Sequence, residues 1–283
     1  MTEETLETPI PKIKNHISFS EYSCFNSCQH KYYLSYVLGL KGGNSEILFL
    51  GNVMHSCIEI IAVNKEYDSK KLFLEAFNKN LERQEDFMFH NDMKTKENYF
   101  YEIFLNIEKS LDFHNRYKKF RVIDVEYKLF EFLFNYEMDW YFKGFIDLIL
   151  YSDEEECFYF IDWKTSGKPW DLKKKMKDTN FINQINLYKY FYAKANNVPL
   201  EKIKTKYVAL VYKTGEIMEL EVNATINEIE SVVLDVKQTI LNIQSLNKNK
   251  LTKMRHGNKK FLCQWCDFYN TKLCNDFLFQ KIK

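Results

Sequence analysis

The chain has 283 residues, 46% of them hydrophobic and 17% aromatic, which is ample for one large core or two ordinary ones. Its net charge of +1 excludes a global pull toward nucleic acid or membrane, so an anionic partner has to be held by local clusters of Lys and Arg. With only 8 Gly and 4 Pro, a sandwich of many short strands is disfavoured against long helices and long strands.

Residues 1–16, with Pro9, Pro11 and several Glu and Thr, are expected to form a poorly ordered lead-in, with structure beginning at Ile17. Between Leu50 and Tyr117 apolar residues recur at spacings of three and four, as in Ile58, Ile61 and Ala62 or Phe100, Ile103 and Phe104, which predicts a helical block. From Val122 the pattern turns extended: Val122–Phe134, Met138–Tyr151 and Cys157–Thr165 read as strands. Asn180–Asn197 returns to helix, Lys204–Tyr212 and Ile217–Val222 are predicted strands around Thr214-Gly215, and Ile226–Leu246 a long helix. No stretch reads as a signal peptide or as an apolar span long enough to cross a bilayer, so the expected location is cytoplasmic, without membrane contact. Two lysine-rich stretches, Lys164–Lys177 and Lys248–Lys260, suit phosphate contacts or a solvated face.

The strand pair at the centre carries charge where apolar residues dominate. If Leu150 pairs with Cys157 across an acidic loop from Tyr151 to Glu156, Asp147 stands opposite Phe160 and Phe145 opposite Asp162. Side chains alternate along a strand, so Asp147, Asp162 and Lys164 then share one face, with the two carboxylates diagonal neighbours roughly 7–8 Å apart. Buried carboxylates need a cation or hydrogen-bond donors. A divalent ion bridging them, Mg2+ or Mn2+ from the hardness of the ligands, suits phosphodiester hydrolysis, and the alternative is a structural salt bridge to Lys164 or Lys143.

At the other end, Cys263-Gln-Trp-Cys266 is followed, after seven intervening residues, by Cys274. Three thiols this close in an intracellular chain point to metal binding, with Cys24 or Cys28 as the fourth ligand, which would tie the two ends of the chain together. Four thiolates serve a [4Fe-4S] cluster or a tetrahedral zinc site equally. Cys57 and Cys157 sit in apolar contexts and are expected to be buried thiols.

In order, Gly144-Phe-Ile-Asp147, Asp162-Trp-Lys164-Thr165 and Gln184-Ile-Asn-Leu-Tyr188 resemble the successive motifs of PD-(D/E)xK nucleases of the RecB type. The resemblance implies a restriction-endonuclease-like mixed sheet flanked by helices, with a helical insertion at about residues 56–120, within one nuclease domain over 17–283. It implies metal ligation by Asp147, Asp162 and the backbone carbonyl of Trp163, a water-activating or water-orienting role for Lys164, and strand positioning by Gln184 and Tyr188. Gly51-Asn-Val-Met-His55 resembles the family segment whose histidine completes the metal site, and Glu126 falls where relatives often carry an acidic residue, in the second shell of ligands or merely on the strand surface.

The stretch Cys28-Gln-His-Lys-Tyr-Tyr resembles the opening Cys-Pro-x-basic-aromatic segment of the iron-sulfur subgroup, as in AddB and the CRISPR-adaptation nucleases, with Gln29 in place of the usual proline. By that resemblance Cys28, Cys263, Cys266 and Cys274 hold a structural [4Fe-4S] cluster. The activity implied is a metal-dependent DNA exonuclease on single-stranded DNA, with Trp163, Trp170 and Tyr188 available to stack bases and with helicase, recombination or CRISPR-adaptation proteins as partners. The rival readings are a catalytically silent DNA- or partner-binding module of the same fold and a zinc-bearing interaction protein.

Overall fold

The computed structural model describes residues 14–40, 42, 45–83, 89, 92–248 and 263–274. The expected lead-in, apart from its last three residues, and nearly all of the lysine stretch beyond Lys248 lie outside the described residues. The chain groups into two compact units, one of Met1–Gly43, Phe130–Lys143 and Val233–Lys283, the other of Asn44–Leu129 and Gly144–Val232.

Strand β1 (His16–Ser18) leads into helices α1 (Phe19–Ser27) and α2 (Gln29–Tyr32), which a π-helical turn extends to Val37. Four helices follow: α3 (Glu46–Val63), α4 (Ser69–Glu82), α5 (Met93–Leu111) and α6 (Phe113–Arg116). Their starts are written in the sequence, since Ser45, Asp68 and Asp92 each accept a hydrogen bond from a backbone N–H three residues on, satisfying a donor the helix leaves unpaired. Strands β2 (Phe120–Tyr136), β3 (Met138–Ser152) and β4 (Cys157–Ser166) come next, then α7 (Leu172–Lys175), α8 (Thr179–Asn196), β5 (Ile203–Val211), β6 (Glu216–Val222) and α9 (Ile226–Lys248).

The strands form a mixed sheet in the order β1-β3-β4-β5-β6, with β2 also beside β3. β3 and β4 are antiparallel, β4 and β5 parallel, β5 and β6 antiparallel. Parallel β4 and β5 need a crossover, and α7 and α8 supply it.

The β3–β4 register corrects one expectation. Ser152, not Leu150, pairs with Cys157, and the ladder runs from there to Leu148 opposite Ile161. The connecting turn is correspondingly short, residues 153–156, because the aromatic pair Tyr151–Phe158, 4.9 Å apart, continues the ladder to the edge of the acidic run. One step further along the same register sets Asp147 directly opposite Asp162, not diagonal to it. A shift of two residues leaves every side chain on the face expected for it.

In the larger unit, Leu148, Leu150, Ile161, Trp163, Val208 and Leu210 from one sheet face join residues of α3, α4 and α5, among them Phe49, Val53, Cys57, Phe73, Phe77 and Phe104, in a single buried cluster. Each such side chain stabilises the fold by roughly 1.5–3 kcal/mol on burial. Cys57 and Cys157 are both buried there. On the opposite face Phe160 meets Tyr192 of α8 at 4.9 Å and Tyr207 stacks on Phe181 at 3.7 Å. Contrary to expectation, one span is long and apolar enough to cross a bilayer, namely α3. Eight of its residues, Phe49 to Ala62, are buried, which accounts for that apolar character as core packing.

The smaller unit pairs β1 with β3 in parallel from His16 opposite Tyr141 to Ser18 opposite Lys143. Tyr22 of α1 donates to the Asp235 carboxylate at 2.5 Å and Asn26 to Thr239 at 3.2 Å, fastening α1 to α9.

Candidate metal centre

Asp147 and Asp162 stand on neighbouring strands and are only 9% and 3% exposed. The backbone N–H of Trp163 donates to Asp147 Oδ2 at 2.7 Å, and Lys164 Nζ lies 2.5 Å from Asp162 Oδ2. Burial, and then the Asp162 charge, push the Asp147 carboxyl well above the ordinary range. Asp162 is raised by burial against the pull of Lys164. Burial works against the Lys164 ammonium, but the two aspartates outweigh it and the amine stays protonated.

His55 reaches the same place from α3. At Gly51, one turn earlier, an added Cβ would lie 3.4 Å from Thr165 Oγ1, so the helix backbone runs close to the end of β4. His55 Nδ1 is 3.5 Å from Asp147 Oδ2. Burial and the nearby Lys164 lower its pKa to about 4, leaving a neutral imidazole, while a backbone hydrogen bond to Trp163 acts the other way. Of the two backbone groups only a carbonyl, accepting from the ring N–H, raises an imidazole pKa, so that bond brings the Trp163 carbonyl into the cluster.

Glu126 completes the group. One ligand atom each from His55, Glu126 and Asp147 lie within 4.8 Å of one another, the one such set among the described residues. Glu126 has φ of 52°, left-handed backbone inside an extended strand. This costs a non-glycine residue roughly 1–2 kcal/mol. Along β2 the less exposed positions shift from Phe120 and Val122 to Val125, Tyr127 and Leu129, an even-to-odd change that marks a bulge. The sequence expectation placed Glu126 beyond the ligands or on the surface; the bulge brings its carboxylate beside His55 and Asp147. Nothing in local pattern announces a bulge.

Two residues were not anticipated from the sequence. Glu59, one turn after His55 on α3, hydrogen-bonds Glu126, and burial followed by the Glu126 charge raises it to about 7. A charged residue among Cys57, Ile58, Ile61 and Ala62, all buried, is the signal that was available. Tyr207 is paired in register with Asp162. Its hydroxyl donates to the Phe181 carbonyl at 2.6 Å, and Lys164 Nζ lies 5.4 Å from its ring. Gln184 Nε2 donates to the Tyr188 hydroxyl at 3.1 Å, so the two α8 residues act as a pair beside the carboxylates.

The Trp163 ring is 1% exposed and Tyr188 7%, so neither is placed to stack a base as expected. Trp163 alternates with Asp162 along β4 and points into the core behind the site. Trp170 is half-buried, edge-on to Phe181 at 5.1 Å, with Lys175 Nζ 5.5 Å from its ring.

In the smaller unit Cys24, Cys28, Cys263 and Cys266 line one cavity of about 420 Å3 together with Lys31 and Tyr36. Cys274 packs with Cys266 against Tyr33, Leu34 and Phe268. Cys28 Sγ accepts from the Lys31 N–H at 3.4 Å. Burial, despite Lys31, pushes the Cys24 thiol up to about 11, with Cys28 and Cys266 adding to it.

No curated protein matches the chain. Among solved structures, the crystal structure of a candidate exonuclease from Eubacterium rectale superposes with a TM-score of 0.54 at 13% identity, over 95% of this chain and 89% of its own. A second, SSO0001, is 14% identical over 91% of this chain and 85% of its own, with a TM-score of 0.39, too distant to support an argument. The first likeness concerns the fold alone. The family model of the PD-(D/E)XK nuclease superfamily matches residues 16–271, nearly the whole length. The chain therefore belongs to the PD-(D/E)XK nuclease superfamily.

Proposed function

We propose that the chain is a Mg2+- or Mn2+-dependent deoxyribonuclease that degrades single-stranded DNA from an end. The observation that carries this reading is the convergence of His55, Glu126, Asp147, Asp162, Lys164 and the Trp163 carbonyl at the end of the sheet. Several carboxylates, one neutral imidazole and a carbonyl oxygen are a donor set suited to a hard divalent cation. Burial raises both carboxyl pKa values, for Asp147 with help from the Asp162 charge, and such an ion offsets the cost of keeping the carboxylates charged. His55, Asp147, Asp162, Glu126 and the Trp163 carbonyl hold the ion.

When bound, the ion polarises a phosphoryl oxygen and lowers the pKa of water. Lys164, kept charged by Asp162 and Asp147, orients the attacking water and stabilises the charge developing on phosphate. Gln184 and Tyr188 position the scissile strand. Lys173, Lys174 and Lys175 on α7 supply phosphate contacts, and half-buried Trp170 a face for a base.

Cys28, Cys263, Cys266 and Cys274 hold a structural [4Fe-4S] cluster in this reading. Cys28, Cys263 and Cys266 line a cavity of about 420 Å3 together with Cys24, room enough for an inorganic group, and Cys274 packs beside Cys266. A four-thiolate zinc site uses the same ligands. A cluster-bearing nuclease suits DNA repair, recombination or CRISPR processing beside a helicase or adaptation partner.

The test is digestion of end-labelled linear and circular single-stranded DNA with Mg2+ or Mn2+. Loss of linear DNA, sparing of circles, and inactivity in EDTA are expected. Cutting of circles would overturn the exonuclease assignment, and no hydrolysis with either ion would overturn the nuclease reading.

A further inference from the structure

The solvent face of β2 is aromatic at its far end. Leu129 and Leu133 are buried, whereas Phe130 and Phe132 on the other face are 41% and 43% exposed, and Tyr136 follows at 42%. A sheet with one solvated face ordinarily carries polar residues there.

The neighbouring strands add two more rings. Tyr141 of β3 stacks on Phe130 with centroids 4.9 Å apart and planes 12° from parallel, and meets Phe132 edge-on at 6.1 Å. His16 of β1, paired in register with Tyr141, lies 5.8 Å from Phe130. Four rings from three strands thus make one continuous patch within the smaller unit, unlike the single scattered apolar residues of an ordinary surface.

Charge indicates what the patch takes. Lys143 follows Tyr141 by two residues on β3 and shares its face. Burial, then the charges of Lys143 and Lys14, lower the His16 pKa, which puts both ammonium groups beside that end of the patch. Glu131 turns to the opposite face with Leu129 and Leu133, and Glu137 and Asp139 lie toward the hairpin turn, where Asp139 accepts from Asn135 at 2.8 Å. Flat apolar faces beside ammonium groups complement a strand whose bases are free to stack and whose phosphates are anionic. A duplex offers no such faces, because its bases are already stacked on one another.

We propose that His16, Phe130, Phe132 and Tyr141 form a stacking platform for single-stranded DNA, with Lys143 and Lys14 holding its phosphates. The inference rests on the single-stranded DNA reading above and adds a binding surface made of none of the residues assigned to the ion.

Fluorescence anisotropy of the full-length protein with end-labelled oligo(dT) in EDTA, beside an abasic strand of equal length, tests it. Phe130→Ala and Phe132→Ala are each expected to weaken oligo(dT) binding by about 5–150-fold, the range of one lost base stack, and to leave the abasic strand unaffected. Phe132→Trp should keep wild-type affinity. Phe132→Leu retains an apolar side chain without the ring and carries the same expectation as Phe132→Ala should the latter not fold. Lys143→Gln should weaken both strands and lower the slope of log affinity against log salt by about 0.7. Unchanged oligo(dT) affinity in the folded Phe130 and Phe132 variants overturns the platform, and a change from dimer to monomer in those variants by light scattering would assign the patch to a second copy of the chain. In either event continued degradation of linear DNA leaves the nuclease reading standing. A wild type that neither binds oligo(dT) nor degrades it overturns both.

Discussion

Asp147 accepts its 2.7 Å hydrogen bond from the backbone N–H of Trp163, two residues along β4 beyond the paired ladder. The β3–β4 ladder ends at Leu148 and Ile161, and the next link is a side chain on a backbone. That exchange gives the buried carboxylate one fixed orientation and leaves the Trp163 carbonyl available on the side of His55. Sheet pairing and site geometry are therefore coupled at this point.

This coupling has a consequence for stability without metal. Burial raises the Asp147 pKa well above its unfolded value of about 3.8, so its contribution is fully present below that value and is lost as pH rises through the folded pKa. Asp147→Asn keeps the acceptor for Trp163 and removes the charge. In EDTA the variant should match wild type near pH 4 and melt at higher temperature by pH 8, read by thermal unfolding across that range. Equal melting curves at pH 8 would contradict the burial argument.

Asp162→Asn is expected to abolish cleavage while the metal-free fold stays at least as stable, because a buried charge is removed and Lys164, a third exposed, turns toward water. Hydrolysis at near wild-type rate in saturating Mg2+ would show that Asp162 is no ligand.

Lys164→Met should reduce turnover by about 10²-fold or more, as loss of a preorganised charge does, with Mn2+ affinity little changed. Calorimetry beside single-turnover kinetics separates the two. A large drop in affinity would mean that Lys164 acts by holding Asp162 in place.

Serine substitution at Cys28, Cys263, Cys266 or Cys274 should each give a colourless, less stable protein, since a shared cluster would close nearly the whole chain into one loop. Cys24→Ser, Cys57→Ser and Cys157→Ser should keep the iron. Cys24 is the demanding control, because it lines the same cavity as Cys28. Metal analysis and visible absorbance of anaerobically purified protein decide; iron lost from Cys24→Ser and kept in Cys28→Ser would exchange their roles.

Local periodicity was enough to place the helical block before β2, the strands β2 to β6 and helices α8 and α9, because spacings of 3.6 and 2 are properties of short segments. The same period put Asp147, Asp162 and Lys164 on one sheet face, a conclusion that survived the two-residue error in register because parity did not change. Their separation could not be read that way. Adjacent registers differ little in local pattern, and the choice of Ser152 opposite Cys157 is made by the packing of the whole sheet against α3 and α8. Glu126 shows the limit most clearly: its left-handed bulge costs energy in isolation, so no local propensity predicts it, and only the surrounding fold repays it. The Trp163 ring faces the core for the reason Asp162 faces the site, while whether Glu59 would meet Glu126 depended on how α3 crosses the sheet, which the chain settles only once it is packed.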